Sequence, residues 1–331
     1  MRGVLGVAVV GAGRMGRRHA ENLAANPDCR VRWIVDPADS ARQLAASLQA
    51  QWAPDLSTAL AAGDALAVVI ATPTTLHAAA IRAALGAERA VFCEKPLLVD
   101  LEASAQLARE IRDSGLYFQM GFMRRYDPAY AEAHRAVRAG ELGRLRQVLA
   151  ISRDPSPPPA SYLATSGGIF LDLGIHDIDL VRWLSGEEVT RATALGNVGD
   201  TAYIGDLGDA EEAAALLELS GGCLAAVLGS RTSRYGYDIR TELWGTGGSL
   251  VAGYLRAPAV TRLGPEGIAA ATVSGFLERF AQAYELEMDD FVRRVREGLP
   301  PPATAEDAVA GARVAEACLR SLRSGGPEAV V

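Results

Sequence analysis

The 331-residue chain has no long basic run, and its formal net charge is −7. A nucleic-acid surface is therefore not expected, and small molecules are the better partners. Cysteine is scarce: the four residues Cys29, Cys93, Cys223 and Cys318 share no metal-type spacing. They read as reduced thiols of a cytoplasmic protein. No cluster of residues offers a metal site, so no metal is expected. Long apolar runs are also missing. Val4 to Val10 is too short to span a membrane and runs straight into a glycine turn, which makes it a buried strand and neither a membrane helix nor a signal peptide. Internal repeats are absent. What remains is a globular composition, 49% hydrophobic and 22% charged, in a chain long enough for two domains.

The order of elements divides the chain. Up to about residue 122 short apolar runs alternate with helical patterns. Strands are expected at Val4–Val10, Val31–Val35, Ala65–Ala71, Ala90–Cys93 and Tyr117–Gly121. Helices fall between them at Met15–Ala25, Ser40–Leu48, Thr75–Leu85 and Leu101–Ser114. That alternation predicts a parallel sheet covered on both faces. Beyond it a helix is expected at Pro128–Ala139. Strand-like runs then follow one another at Leu145–Arg153, Thr190–Val198, Ala213–Leu219, Leu224–Ser230 and Ile239–Trp244. Pro155 to Pro159 must be a loop. Helices near Phe276–Glu297 and Ala305–Ser324 close the chain. The expectation is an α/β protein: a parallel-sheet domain over 1–122, then an α+β domain over 123–331 built on a mainly antiparallel sheet. The last helix is expected to pack back on the first domain.

Gly11-Ala12-Gly13-Arg14-Met15-Gly16 lies between the first strand and helix. The first glycine permits the turn, the second lets a pyrophosphate approach the backbone, and the third lets helix and strand pack closely. The helix N-terminus would hold the phosphate through its N–H groups and dipole. Asp36 ends the second strand at the distance of the ribose-binding acid of this fingerprint. Its charge would repel a 2′-phosphate, which favours NAD over NADP, although Arg42 is near enough to reach. Thr72-Pro73 and His77 are either at the cofactor edge or plain turn and helix-start residues. Cys93-Glu94-Lys95-Pro96 follows a strand at the C-terminal edge of the sheet, where ligands of open α/β sheets bind. Lys95 would enter the site there, and Pro96 is a candidate cis peptide.

Gly167 to Leu184, GGIFLDLGIHDIDLVRWL, reads as one buried helix. Asp172 and His176 at i,i+4 would share a face, with Asp179 one turn on. A carboxylate and an imidazole on an otherwise apolar helix cost free energy to bury, so chemistry is expected here. A structural ion pair is the alternative.

Together GAGRMG, FCEKPL, GFMRRYD, this helix, RYGYDIRTE and RFAQAYELEMDDF resemble the Gfo/Idh/MocA oxidoreductases, and within them the inositol 2-dehydrogenases. The matches span residues 6 to 291. The resemblance implies an N-terminal Rossmann domain and a C-terminal α+β domain with an open, mainly antiparallel sheet, NAD as cofactor, a cyclic polyol substrate and a homotetramer packed through the open sheets. It maps the catalytic residues onto Lys95, Asp172 and His176. It places Gly11, Gly13, Arg14, Met15, Asp36 and Thr72 at the cofactor, with Pro73, His77, Glu94 and Lys95. Substrate-binding candidates, besides the catalytic three, are Met123, Arg124, Asp154, Asp179, Tyr235 and Tyr284. Arg124 has Asp127 as an alternative partner, and one of Tyr235 and Tyr237 is expected to face the site. Asp154 stands where some inositol dehydrogenases carry asparagine, and Phe276 where some carry tryptophan.

The chemistry suits these residues. His176 is the best base for a secondary alcohol, because an unperturbed imidazole has a pKa of ~6.5. Lys95 can stabilise developing alkoxide charge, and Asp172 can orient the site and offset the positive charges. The expected reaction is oxidation of myo-inositol to 2-keto-myo-inositol (scyllo-inosose). Another inositol isomer or a pyranose sugar remains open. A non-catalytic NAD-binding sensor is the reading from another class, and such a sensor need not keep a base.

Overall fold

The structure is a computed structural model that describes residues 3–254, 256–265 and 267–331. It forms two units: residues up to Tyr126 together with Gln282–Ala310, and Asp127–Ala281 together with Gly311–Val331. Segment 282–310 thus belongs to the first unit, unlike in the sequence division at 122/123. The penultimate helix joins that unit; the last helix starts in it and continues in the second.

In the first unit six strands form a parallel sheet: β1 (Leu5–Val10), β2 (Cys29–Val35), β3 (Gln51–Ala53), β4 (Ala67–Ile70), β5 (Ala90–Glu94) and β6 (Phe118–Gly121). Their order is β3-β2-β1-β4-β5-β6, so the winding reverses between β1 and β4. A ligand crevice is expected at the C-terminal ends of those two strands. Every residue of β1 is buried, as a central parallel strand covered on both faces requires. Helices α1 (Arg14–Ala25), α2 (Asp39–Ser47), α3 (Leu56–Ala61), α4 (His77–Gly86) and α5 (Leu101–Ser114) connect the strands. Met288, Phe291 and Val292, all from segment 282–310, complete the core around Leu5, Val7 and Phe92. The Phe92 and Phe291 rings meet edge to face at 5.8 Å. Burial of a side chain such as Phe291 stabilises by roughly 1.5–3 kcal/mol.

The second unit opens with α6 (Pro128–Arg138), whose first turn is capped by the Asp127 carboxylate. A seven-stranded sheet follows, built from β7 (Leu145–Arg153), β8 (Val189–Asn197), β9 (Glu212–Leu219), β10 (Leu224–Ser230), β11 (Asp238–Gly245) and β12 (Ser249–Tyr254), with a short terminal strand on the β8 edge. Its order is β12-β11-β7-β10-β9-β8 and then the terminal strand. The β7–β10 pairing is parallel and the others are antiparallel. Two strands, β13 (Arg256–Gly264) and β14 (Gly267–Thr272), pair with each other, and the terminal strand is β15 (Glu328–Ala329). One sheet face is covered by helices; a Cβ on Gly229 would touch Leu173 and Ile169. On the other face Leu195, Leu216 and Val251 are exposed. Among the described residues no helix is long and apolar enough to cross a membrane.

Two expected helices are broken. The segment 167–184 forms a single turn, α8 (Ile169–Asp172), after the short α7 (Ala160–Leu163), and then α9 (Ile175–Ser185). Gly168, at φ 86°, cannot be helical. At Gly174 the N–H bonds back five residues to Ile169 O, and a Cβ would sit 3.0 Å from Phe170 O. This wide turn separates Asp172 from His176, so the i,i+4 argument fails for that pair, while His176 and Asp179 remain on one helix. The expected helix 276–297 is α11 (Phe276–Arg279) and α12 (Ala281–Glu297), following the short α10 (Ala202–Asp206). The break is at Phe280, whose ψ of 20° leaves the helical region. The last helix, α13, spans Ala305–Ser324.

Candidate active site

The glycine loop is shaped by close approach. Gly11 has φ 93°, and a Cβ there would lie 2.6 Å from Ala71 O at the end of β4. A Cβ on Gly16 would sit 1.7 Å from the Gly11 carbonyl oxygen, whereas one on Gly13 would meet nothing within 4 Å. The loop is therefore packed on its inner side and open at the phosphate position. Helix α1 begins at Arg14 with Gly13 as its N-cap, has no side-chain cap, and carries no acidic residue in its first turn. Arg14 is exposed and Met15 half-buried at this terminus. An anion-binding helix end beside two glycines that admit no side chain fits a dinucleotide pyrophosphate.

Asp36 braces this loop. Its Oδ2 accepts from Ala12 N at 2.8 Å and its Oδ1 from Ala38 N at 2.8 Å. Each oxygen keeps further acceptor capacity for ribose hydroxyls. Arg42, the one cation weighed as a 2′-phosphate partner, stacks over the Trp52 ring at 3.6 Å and lies 3.7 Å from Asp39.

His77 ties together the loops after β4 and β5. Its Nε2 lies 3.1 Å from Thr72 O, and its Nδ1 lies 3.0 Å from Pro96 O and 3.2 Å from Leu97 O. The ring is buried, and burial pulls its pKa below the ordinary imidazole value. The buried ring thus lies against both loops. Lys95–Pro96 is a cis peptide, as the sequence suggested. Lys95 N donates to Glu94 Oε2 at 3.3 Å, and Glu94 Oε1 lies 2.7 Å from His19 Nε2.

Below this pair is a buried group that sequence reasoning missed. Glu287 is fully buried, and desolvation, followed by the nearby Glu94 charge, raises its pKa well above the carboxylate range. A signal was available, because Glu287 shares a helical stripe with Tyr284, Met288 and Phe291. Tyr284 is buried in the same unit, its ring edge-on to His19 at 5.9 Å. Met123 and Arg124 are buried in the 3₁₀ turn after β6. Asp127, the alternative partner weighed for Arg124, pairs with Arg279 at 2.6 Å.

In the second unit Asp172, His176 and Asp179 are all buried. Asp172 Oδ1 accepts from the Tyr162 hydroxyl at 2.8 Å, and its Oδ2 accepts from Arg231 Nη1 at 3.0 Å. Burial, and then the charges of Asp172 and Asp154, raise the Tyr162 pKa, with Arg231 opposing them. Asp172 and Tyr162 are thus brought together, and Tyr162 was not among the sequence candidates. Tyr235 goes elsewhere: Arg153 Nη1 donates to its hydroxyl, which donates to Asp238 Oδ2, both at 2.7 Å. Tyr237 is buried edge-on to Phe280. Gly236, at φ 122°, turns the chain between the two tyrosines.

Comparison with known proteins identifies the family. Residues 5–122 match the oxidoreductase family with an NAD-binding Rossmann fold, and residues 130–251 match the GFO/IDH/MocA C-terminal domain. A scyllo-inositol 2-dehydrogenase (NAD(+)) of Bacillus subtilis strain 168 is 38% identical over 97% of this chain and 94% of its own length. The chain belongs to the Gfo/Idh/MocA oxidoreductase family. It is an NAD-dependent oxidoreductase of this family. An inositol 2-dehydrogenase of Rhizobium meliloti strain 1021 is 34% identical over 95% of this chain and 96% of its own. The crystal structure of a scyllo-inositol dehydrogenase from Lactobacillus casei, with bound NAD(H) and scyllo-inositol, superposes with a TM-score of 0.91. It is 31% identical and covers 99% of both chains.

Proposed function

We propose that the chain is an NAD-dependent inositol 2-dehydrogenase that oxidises myo-inositol to 2-keto-myo-inositol (scyllo-inosose). The observation that carries this reading is the Asp172 cluster, a buried carboxylate and imidazole one short turn apart with the Tyr162 hydroxyl on the carboxylate. Such a set of acceptors and donors suits a ring bearing many hydroxyls. Lys95, Asp172 and His176 are its catalytic residues. His176 takes the proton of the reacting hydroxyl. Lys95 donates a hydrogen bond to the oxygen as charge develops on it. Asp172 accepts ring hydroxyls and orients them. NAD, when bound, takes up the hydride.

Oxidation of scyllo-inositol is the second reading. It is favoured by the 38%-identical relative, a scyllo-inositol 2-dehydrogenase. An NADH-absorbance assay across inositol isomers and common aldoses tests both. The highest kcat/KM is expected with myo-inositol. A clear preference for scyllo-inositol selects the second reading, and no NAD reduction with any of them returns the sensor reading.

NAD is preferred over NADP because Asp36 would oppose a 2′-phosphate and Arg42 is held on Trp52. Asp36→Ala is expected to raise the KM for NAD and narrow the gap to NADP. A wild-type preference for NADP in a cofactor titration would remove Asp36 from this role.

The working form is a cytoplasmic homotetramer. Strand register aligns Leu216, Ala226, Leu149, Glu242 and Val251 in one row across the open sheet face. Leu216 and Val251 are each 67% exposed, and Leu195, on the same face, is 72% exposed. A patch of this kind is the sign of a protein interface. The double variant Leu216→Glu with Val251→Glu is expected to dissociate the tetramer in light scattering. A wild-type monomer would contradict the assignment.

A further inference from the structure

Arg231 has no place in the sequence motifs, yet its side chain is fully buried. Its Nη1 donates to Asp172 Oδ2 at 3.0 Å and its Nη2 to Asp209 Oδ2 at 2.8 Å. Its Nε reaches Ala210 O at 3.3 Å, and its backbone N–H is fixed on Glu211 O at 2.9 Å. Asp209 is fixed in turn. Its Oδ1 accepts from Ala210 N and from Ile169 N, both at 2.8 Å. Ile169 is the first residue of α8 and Asp172 the last. A closed ring results, running from Asp209 to the start of the turn, along it to Asp172, and back through Arg231.

This ring explains how a one-turn helix between two glycines can hold a side chain in a fixed orientation. So short a helix has little stability of its own. The planar fork of a guanidinium can bind two carboxylates at once, in directions set by its geometry, which an ammonium cannot reproduce. Removing the fork would leave Asp172 buried with its charge uncompensated on that side.

We infer that Arg231 is a positioning residue, anchored by Asp209, that fixes the Asp172 carboxylate for substrate recognition. The inference rests on the proposed catalytic role of Asp172. It is tested with Arg231→Lys, Arg231→Met, Asp172→Asn and the double variant Arg231→Met with Asp172→Asn. The readouts are kcat, KM for the polyol, NADH affinity by fluorescence, and melting temperature. Arg231→Lys keeps the buried charge should Arg231→Met fail to fold. It is expected to lower kcat by roughly 10-fold or more, with NADH affinity changed less than about 2-fold. The double variant is expected to be no slower than Asp172→Asn alone, because both changes remove one function. Wild-type kcat in Arg231→Lys, or losses that multiply in the double variant, would overturn the inference. Crystal structures of wild type and Arg231→Lys decide it without turnover. A displaced Asp172 carboxylate is expected, and an unmoved one overturns the inference. Failure of the wild type to oxidise any cyclic polyol would instead overturn the substrate assignment.

Discussion

His176→Ala is expected to lower kcat by roughly 10²-fold or more while leaving NADH affinity near the wild-type value. The imidazole is buried at the start of α9, in the unit that does not carry the glycine loop. Its removal should therefore affect proton transfer and leave cofactor capture intact. Lys95→Ala is expected to produce a loss of similar size through the missing hydrogen bond to the developing alkoxide. Steady-state kinetics with a parallel NADH fluorescence titration separates the effects. Near-normal turnover in either variant would take that residue out of the mechanism.

Gly16→Ala is the second large effect. The added Cβ would be placed 1.7 Å from the Gly11 carbonyl oxygen, which belongs to backbone and cannot swing aside. Helix α1 must then move away from the β1 turn, and its N-terminus leaves the pyrophosphate position. NADH affinity is expected to fall by roughly 100-fold or more, since the aligned N–H groups and the helix dipole act together there. Overpacking of this kind also costs about 1–3 kcal/mol of stability. A fluorescence titration and a thermal melt read the two consequences. Wild-type affinity in Gly16→Ala would mean that the loop does not hold the cofactor.

The parallel sheet, the glycine loop, Asp36 and the EKP turn were legible because their signals are local. Apolar runs alternate with helical periods, and each glycine position has a steric reason of its own. The breaks at Gly174 and Phe280 were hidden because the 3.6-residue apolar pattern continues through both. The i,i+4 argument for Asp172 and His176 consequently fails, although both side chains are buried. Segment 282–310 belongs with the first unit because Met288, Phe291 and Val292 complete a core begun nearly three hundred residues earlier, which periodicity cannot show. Arg231 and Asp209 were invisible for the same reason: Arg231 meets Asp172 across 59 positions and Asp209 across 22. Tyr162 lay just beyond the Pro155–Pro159 loop, with only its hydroxyl to mark it. Glu287 was different, since an acid in an apolar stripe was in plain view.

Hydride transfer from the ring carbon to NAD is the central claim, and isotope transfer tests it most directly. Myo-inositol deuterated at C2 should be incubated with the enzyme and NAD, and the NADH formed examined by mass spectrometry. NADH that carries the deuterium and a 2-keto product that has lost it are expected. Unlabelled NADH, or no NADH at all, would contradict oxidation at that carbon.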